Sequence, residues 1–263
     1  MGFVNLILRF IFYHFTNNIS KYNIGGDFLD IRLFIIAITP ALAIIFGIYL
    51  SDRYDREPLK YLMLTFILGA LSVIPTIIVE EILLKANIFT GVLGAFYTSF
   101  IVAGLTEEYF KRLVVLEVPY KTKYFNEKLD GIVYGVFSAM GFATVENIVY
   151  VVYRYTNNRY IGLYRGIFSV PAHGVFGITM GYYLSLAKFD TDKKRAKRNL
   201  MRSLYMPLIL HGIFDFILMA GIPQLSVLFV PYVIYIWWLN ERKLSKFMYD
   251  SKSRFIDIKK ERE

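Results

Sequence analysis

Long apolar runs alternate with short polar stretches along almost the whole chain, and the runs have the length of a membrane crossing. Seven blocks lie at roughly 31–50, 60–79, 92–116, 129–152, 163–187, 201–220 and 222–239, each near or above the ~18 residues that read as a span. Runs of this length predict helices, because a helix satisfies its backbone hydrogen bonds internally where no water is available. The expected fold class is all-α, a polytopic transmembrane helical bundle of seven or eight spans. The eighth candidate, Phe3 to Phe15, is short and carries Arg9 and His14, so it reads as an interfacial helix lying in the membrane plane. The blocks leave no room for a separate soluble domain. Residues 1–263 are expected to form one membrane-embedded domain, with 1–30 as an N-terminal interfacial segment and 240–263 as a basic tail.

Composition agrees with that pattern. The chain is 56% hydrophobic and only 19% charged, with a mean hydropathy of +0.45, whereas soluble domains carry about 25% charged residues. A water-soluble globule and a disordered chain are both excluded. No cysteine is present, which removes disulfides, thiol nucleophiles and thiolate metal sites. The net charge of +9 does not indicate a nucleic-acid partner, since much of the excess lies in a few short segments between spans. Lys121, Lys123 and Lys128, the run Lys188 to Arg198, and the tail from Arg242 alternate with loops that hold only Lys85, Arg154 and Arg159. By the positive-inside rule the C-terminus is cytoplasmic. The lipid bilayer is the expected surrounding, and a multi-pass membrane protein the expected localisation. The first cytoplasmic loop, Ser51 to Pro58, reads as a charged surface loop whose proline suits the start of the next helix.

Ionisable groups inside spans cost at least ~2.5 kcal/mol each near the bilayer centre, so they mark functional sites. Here they fall on four blocks: Glu107, Glu108, Lys111 and Arg112 on the third, Glu146 with Asn147 on the fourth, His173 on the fifth, and His211 with Asp215 on the sixth. Glu107 and Lys111, Glu146 and Tyr150, and His211 and Asp215 are each four residues apart, so each pair shares a helix face. Adjacent Glu107 and Glu108 point about 100° apart, so one can face a cavity while the other packs against a neighbouring helix.

A buried glutamate next to a water molecule is a general base, and an imidazole opposite it can bind a developing oxyanion or protonate a leaving amine. The set fits water-mediated peptide hydrolysis, with Asp215 placed to orient His211. Each residue alone has an ordinary explanation: an intramembrane ion pair for Glu107 with Lys111, an interhelical hydrogen bond for Glu146, and a kinked small-residue packing face around His173. Their occurrence together on four spans favours a site. Glu80, Glu81 and Lys85 end the second block and read as an interfacial anchor outside it.

Other chemistries lack their signatures: no H-E-x-x-H occurs, no G-x-S-x-G lies in a span, and Gly25-Gly26-Asp27 precedes the first block. Two rivals stay open. Two histidines with Glu108 or Glu146 have the donor types of a catalytic zinc site, though without compact spacing. Buried glutamates and histidines also suit a proton-coupled transporter or channel, although no internal repeat is visible.

At these residues the sequence resembles the PrsW family of intramembrane glutamic proteases, relatives of the type II CAAX prenyl endopeptidases. Phe100 to Lys111, FIVAGLTEEYFK, looks like its E-E-x-x-K motif, and Gly141 to Tyr150, GFATVENIVY, like its E-N-x-x-Y segment. The stretches from His173 and His211 look like its two histidine motifs, and DRYDREP like its first loop. The resemblance runs from about Asp52 to Asp215, five motifs in order. It implies a bacterial cell-membrane endopeptidase that makes the first cut in a single-span anti-sigma factor, part of a stress response. It places the catalytic residues at Glu107, Glu108, His173 and His211, with Lys111, Glu146, Asn147 and Asp215 in support and no metal or other cofactor. The prenyl endopeptidase relatives often have asparagine at the position of Asp215, and an ionised aspartate cannot donate a hydrogen bond to an oxyanion. By the same resemblance, the loops with Arg154, Arg159 and Arg165 lie where the substrate comes in.

Overall fold

The computed structural model describes residues 31–154 and 159–262, and these are helical almost throughout, with no strand among them. The interfacial reading of 1–30 lies outside the described residues. In chain order the α-helices are α1 Ile31–Ser51, α2 Leu59–Leu71, α3 Val73–Lys85, α4 Gly91–Tyr97, α5 Thr106–Glu117, α6 Lys128–Ile148, α7 Arg159–Tyr164, α8 Val170–Lys188, α9 Lys193–Met219 and α10 Pro223–Arg262. Ser72 alone separates α2 from α3, and together they form a 27-residue rod, Leu59–Lys85.

Four helices among the described residues are long and apolar enough to cross a membrane: Ile31–Ser51, Leu59–Lys85, Lys128–Tyr153 and Lys193–Met219. The third block is helical too, but it concentrates Glu107, Glu108, Lys111 and Arg112. The seventh block does not end where its apolar run ends. It continues without a break into the basic tail as the 40-residue α10, and Phe247 of that tail is buried and stacked on Tyr182 at 4.8 Å.

Helix α6 is the axis of the bundle, buried from Leu129 through Thr144. Glycine makes this possible at two contacts. A Cβ on Gly181 of α8 would lie 1.9 Å from the Gly131 carbonyl oxygen, and one on Gly141 would lie 2.0 Å from that of Phe66 on α2. Backbones therefore touch on two sides of α6, the small-residue packing common between membrane helices. The N-terminus of α6 carries a capping box, in which Asp130 Oδ2 accepts from the amide nitrogens of Asn126 at 2.6 Å and Glu127 at 2.7 Å.

The loop before α2 is not the solvated loop its charge suggests. Asp52 and Glu57 are buried; Asp52 Oδ2 accepts the Glu57 amide at 3.0 Å, and the Tyr134 hydroxyl of α6 donates to Glu57 Oε2. Burial pushes the Asp52 carboxyl up to about 6 and that of Glu57 up to about 7. A loop of charges becomes part of the interior when the central helix supplies it with partners.

Among the described residues three π-helical segments interrupt the α-helical rods, at Thr98–Leu105, Val149–Arg154 and Arg165–Ser169. They run directly into α5, out of α6 and, past α7, into α8. Such segments shift the helical register and re-aim the side chains beside them. The residues they adjoin are Glu107 and Glu108, Glu146 and Asn147, and His173.

Candidate active site

Lys111 stands at the centre of the polar groups. Its ammonium donates to Glu107 Oε2 at 2.9 Å, Glu108 Oε1 at 2.9 Å and His173 Nδ1 at 3.0 Å. An ammonium has three donors and no acceptor, so these contacts saturate it. It also lies 4.2 Å from the centroid of the Phe142 ring, and the Ser138 hydroxyl of α6 donates to its backbone carbonyl at 2.9 Å. Arg112, one residue on, points elsewhere and binds Ser203 and the Leu200 carbonyl of α9.

The partners of the two histidines fix different proton arrangements. His173 accepts from Lys111 at Nδ1, so its proton is on Nε2, which donates to Glu146 Oε2 at 2.9 Å. His211 faces carboxylates on both sides, Glu108 Oε1 at 3.1 Å from Nδ1 and Asp215 Oδ2 at 3.4 Å from Nε2. Both nitrogens can donate only in the imidazolium form. The two rings meet edge to face, 5.4 Å between centroids, and Phe176 stacks on His211 at 4.8 Å.

The outer ring of the site is held from α6, the π-helical segment Arg165–Ser169 and α1. Arg165 Nη2 lies 2.9 Å from Glu146 Oε2, and Arg165 Nε donates to Asn147 Oδ1 at 2.9 Å. Asn147 Nδ2 in turn donates to the Ala37 carbonyl of α1 at 2.8 Å. Arg165, expected only near the incoming substrate, thus belongs to the polar network itself. Of its two companions, Arg154 and Arg159, the side chains lie outside what the structure describes.

A cavity of about 780 Å³ opens beside this network. Glu107, Glu146, His173, His211 and Asp215 line it, whereas Glu108 and Lys111 are fully buried behind the wall. The adjacent glutamates therefore take the two environments that their 100° separation allows.

Glu80 corrects the reading of the second block. It lines the same cavity and lies 3.5 Å from the Thr106 hydroxyl, not at an interface apart from the site. The cause is the register of α3, whose Val73, Thr76, Ile77, Glu80 and Leu84 all face the cavity. The spacing of four between Thr76 and Glu80 was the available signal.

The donor types also suit a metal ion. Glu107, Glu108, His173 and His211 each offer one ligand atom, all within 4.8 Å of one another and all buried, and imidazole with carboxylate is a zinc-binding combination. These four residues would hold such an ion, which would supply a polarised water. In the arrangement seen, the Lys111 ammonium already bridges three of the four donors.

The chain matches the model of a family described as PrsW family intramembrane metalloprotease over residues 57–239. It is 44% identical to "Protease PrsW" of Clostridioides difficile over 229 residues, 87% of this chain and 96% of that protein. It is 36% identical to "Protease PrsW" of Bacillus subtilis over 209 residues, 80% of this chain and 92% of that protein. No solved structure matches. The polar cluster on four helices lies within the residues that the family model matches, and the protein belongs to the PrsW family of intramembrane proteases.

Proposed function

We propose that the protein hydrolyses a peptide bond of a single-span membrane protein, an anti-sigma factor, with water activated by Glu107. The observation that carries this reading is that Glu107 is the glutamate of the pair that faces the cavity, with its partner Glu108 sealed behind it against Lys111 and His211. Glu107 accepts a proton from water, and the hydroxide adds to the scissile carbonyl. The His211 imidazolium donates its Nε2 proton, loosely held at 3.4 Å from Asp215, as a hydrogen bond to the oxyanion. Glu107 then passes the water proton to the leaving amine as the C–N bond breaks. Asp215 orients the ring and favours its charged form, the role open to a residue that cannot donate. Glu108 and His173 hold Lys111, while Arg165, itself held by Asn147, holds Glu146.

The same reading makes residues 1–263 one membrane-embedded protease domain of seven or eight spans in a bacterial cell membrane, with the C-terminus cytoplasmic. The substrate is cut on its extracytoplasmic segment as an unwound chain, because a helix keeps its carbonyls in backbone hydrogen bonds. Mass-spectrometric mapping of the cut in a candidate anti-sigma factor, co-expressed with wild type or Glu107→Gln, tests the proposal. The expected result is an extracytoplasmic cut that Glu107→Gln slows by at least ~100-fold, the lower end of what a general base contributes, with the variant still folded. A cut confined to the cytoplasmic tail, or one unchanged in the variant, overturns it.

A second reading keeps the peptidase and adds zinc on Glu107, Glu108, His173 and His211. It is favoured by the proximity of those four ligand atoms and by the metalloprotease in the family's description.

A further inference from the structure

Four acids line the cavity on the site's own elements and on α3: Glu80, Glu107, Glu146 and Asp215. Three have cationic or imidazole partners, Glu107 in Lys111, Glu146 in Arg165 and His173, and Asp215 in His211. Glu80 has none within ion-pair distance among the described residues, and its polar contact is the Thr106 hydroxyl at 3.5 Å. That hydroxyl is already committed, since it donates to the Val102 carbonyl of the π segment. Glu80 is thus a partly buried carboxyl with one long hydrogen bond and no cationic partner, on a wall that is otherwise mostly Val73, Ile77 and Leu84, an expensive arrangement in a membrane unless a function retains it.

A substrate unwound for cleavage brings the complementary need. Each peptide group leaving its helix exposes an N–H and a C=O in a cavity with little polar lining, and such groups are costly until they are paired. A carboxylic acid presents one donor and one acceptor on adjacent oxygens, which matches a peptide group at two points. The α3 wall otherwise offers only Thr76, whose hydroxyl is spent on the Ser72 carbonyl at 2.8 Å.

We infer that Glu80 is a positioning residue that holds one peptide group of the unwound substrate by hydrogen bonds, on the cavity wall beside the turn of α5 that carries Glu107. The inference rests on the proposed peptidase reading. It assigns α3 the substrate-gripping wall and leaves bond cleavage to α5 and α9.

The test uses full-length enzyme in vesicles of phosphatidylethanolamine and phosphatidylglycerol with a fluorescent single-span reporter, comparing wild type, Glu80→Leu, Glu80→Gln and Glu107→Gln. Glu80→Leu is expected to raise KM about tenfold with kcat kept within about threefold, the pattern of a contact made equally in ground and transition states. Glu80→Gln, whose amide also offers donor and acceptor, recovers most of that loss. Wild-type KM in Glu80→Leu overturns the inference. So does a Glu80→Gln variant as impaired as Glu80→Leu, which would show that the acid's proton or charge is what matters. If Glu80→Leu does not fold, the Glu80→Gln comparison decides alone, since an unrescued amide variant sinks the hydrogen-bonding role. Loss of activity in Glu107→Gln with no effect at Glu80 removes only this inference, whereas full activity in Glu107→Gln removes the reading beneath it.

Discussion

Lys111 Nζ lies 3.0 Å from His173 Nδ1, an ammonium donating to a neutral imidazole in the interior of a membrane bundle. The contact makes His173 the third support of a cation whose other two are Glu107 and Glu108. Removing the cation leaves Glu107 without its countercharge and two adjacent carboxylates sharing only the His211 imidazolium on Glu108, and breaking a buried pair this way costs about 3–5 kcal/mol. Lys111→Met is therefore expected to lower the thermal unfolding midpoint markedly and to abolish cleavage. Unfolding in detergent followed by circular dichroism, alongside the cleavage assay, checks both. A variant of wild-type stability would mean that the carboxylates are compensated from elsewhere.

The pH dependence of stability should carry the mark of the first loop. Burial raises Asp52 from its ordinary 3.8 to about 6, and Glu57 from 4.5 to about 7. A carboxyl whose value is raised by folding favours the folded state while protonated. Its contribution is complete below about 4 and is lost as pH rises through about 6 to 7. Wild type should lose stability across that window relative to Asp52→Asn/Glu57→Gln, in which neither position titrates. Unfolding midpoints measured from pH 4 to pH 8 for both proteins should converge toward pH 4, separate progressively up to about pH 7 and keep a constant gap beyond it. Parallel curves would contradict the assignment.

Helix contacts give a sharper prediction. Gly141 meets the Phe66 backbone carbonyl with no room for a side chain, since a Cβ would lie 2.0 Å from that oxygen. Backbone on both sides cannot yield as a flexible side chain would. Gly141→Val should cost upward of the ~1–3 kcal/mol typical of overpacking, because α2 and α6 must separate. The same substitution at Gly47, where nothing lies within 4 Å, supplies the control for helix propensity alone. Fluorescence-detected size-exclusion of the two variants compares them.

Much of this site was legible because charge inside an apolar run is costly and so is visible against its surroundings. Glu107, Glu108, Lys111, Glu146, His173, His211 and Asp215 announce themselves that way, and their spacing gives the faces they share. Three kinds of fact were hidden. Glu80 sits near the end of its apolar block, where an acid is ordinarily cheap, and only the register of α3 turns it inward. Asp52 and Glu57 sit in a loop that composition marks as solvated, and their burial depends on Tyr134 of a helix more than seventy residues away. The π segments had no sequence signal that period-3.6 reasoning could register, yet they adjoin residues of the site on three helices.

A zinc ion on the four buried residues and the Lys111 ammonium compete for the same side chains, because the ammonium already holds Glu107 Oε2, Glu108 Oε1 and His173 Nδ1 at 2.9, 2.9 and 3.0 Å. Both cannot occupy that space, and two cations in contact in a low-dielectric interior repel strongly. If the glutamate acts without metal, the purified enzyme keeps its activity after exhaustive chelation and contains no stoichiometric zinc. Lys111→Ser, which vacates the position and leaves the four donors in place, should then bind zinc more tightly than wild type does. Titration with zinc and elemental analysis of both proteins measure this directly. Stoichiometric zinc in active wild type, with activity lost to chelator and restored by zinc, would establish the metal reading and require Lys111 to leave its place among the donors before the reaction begins.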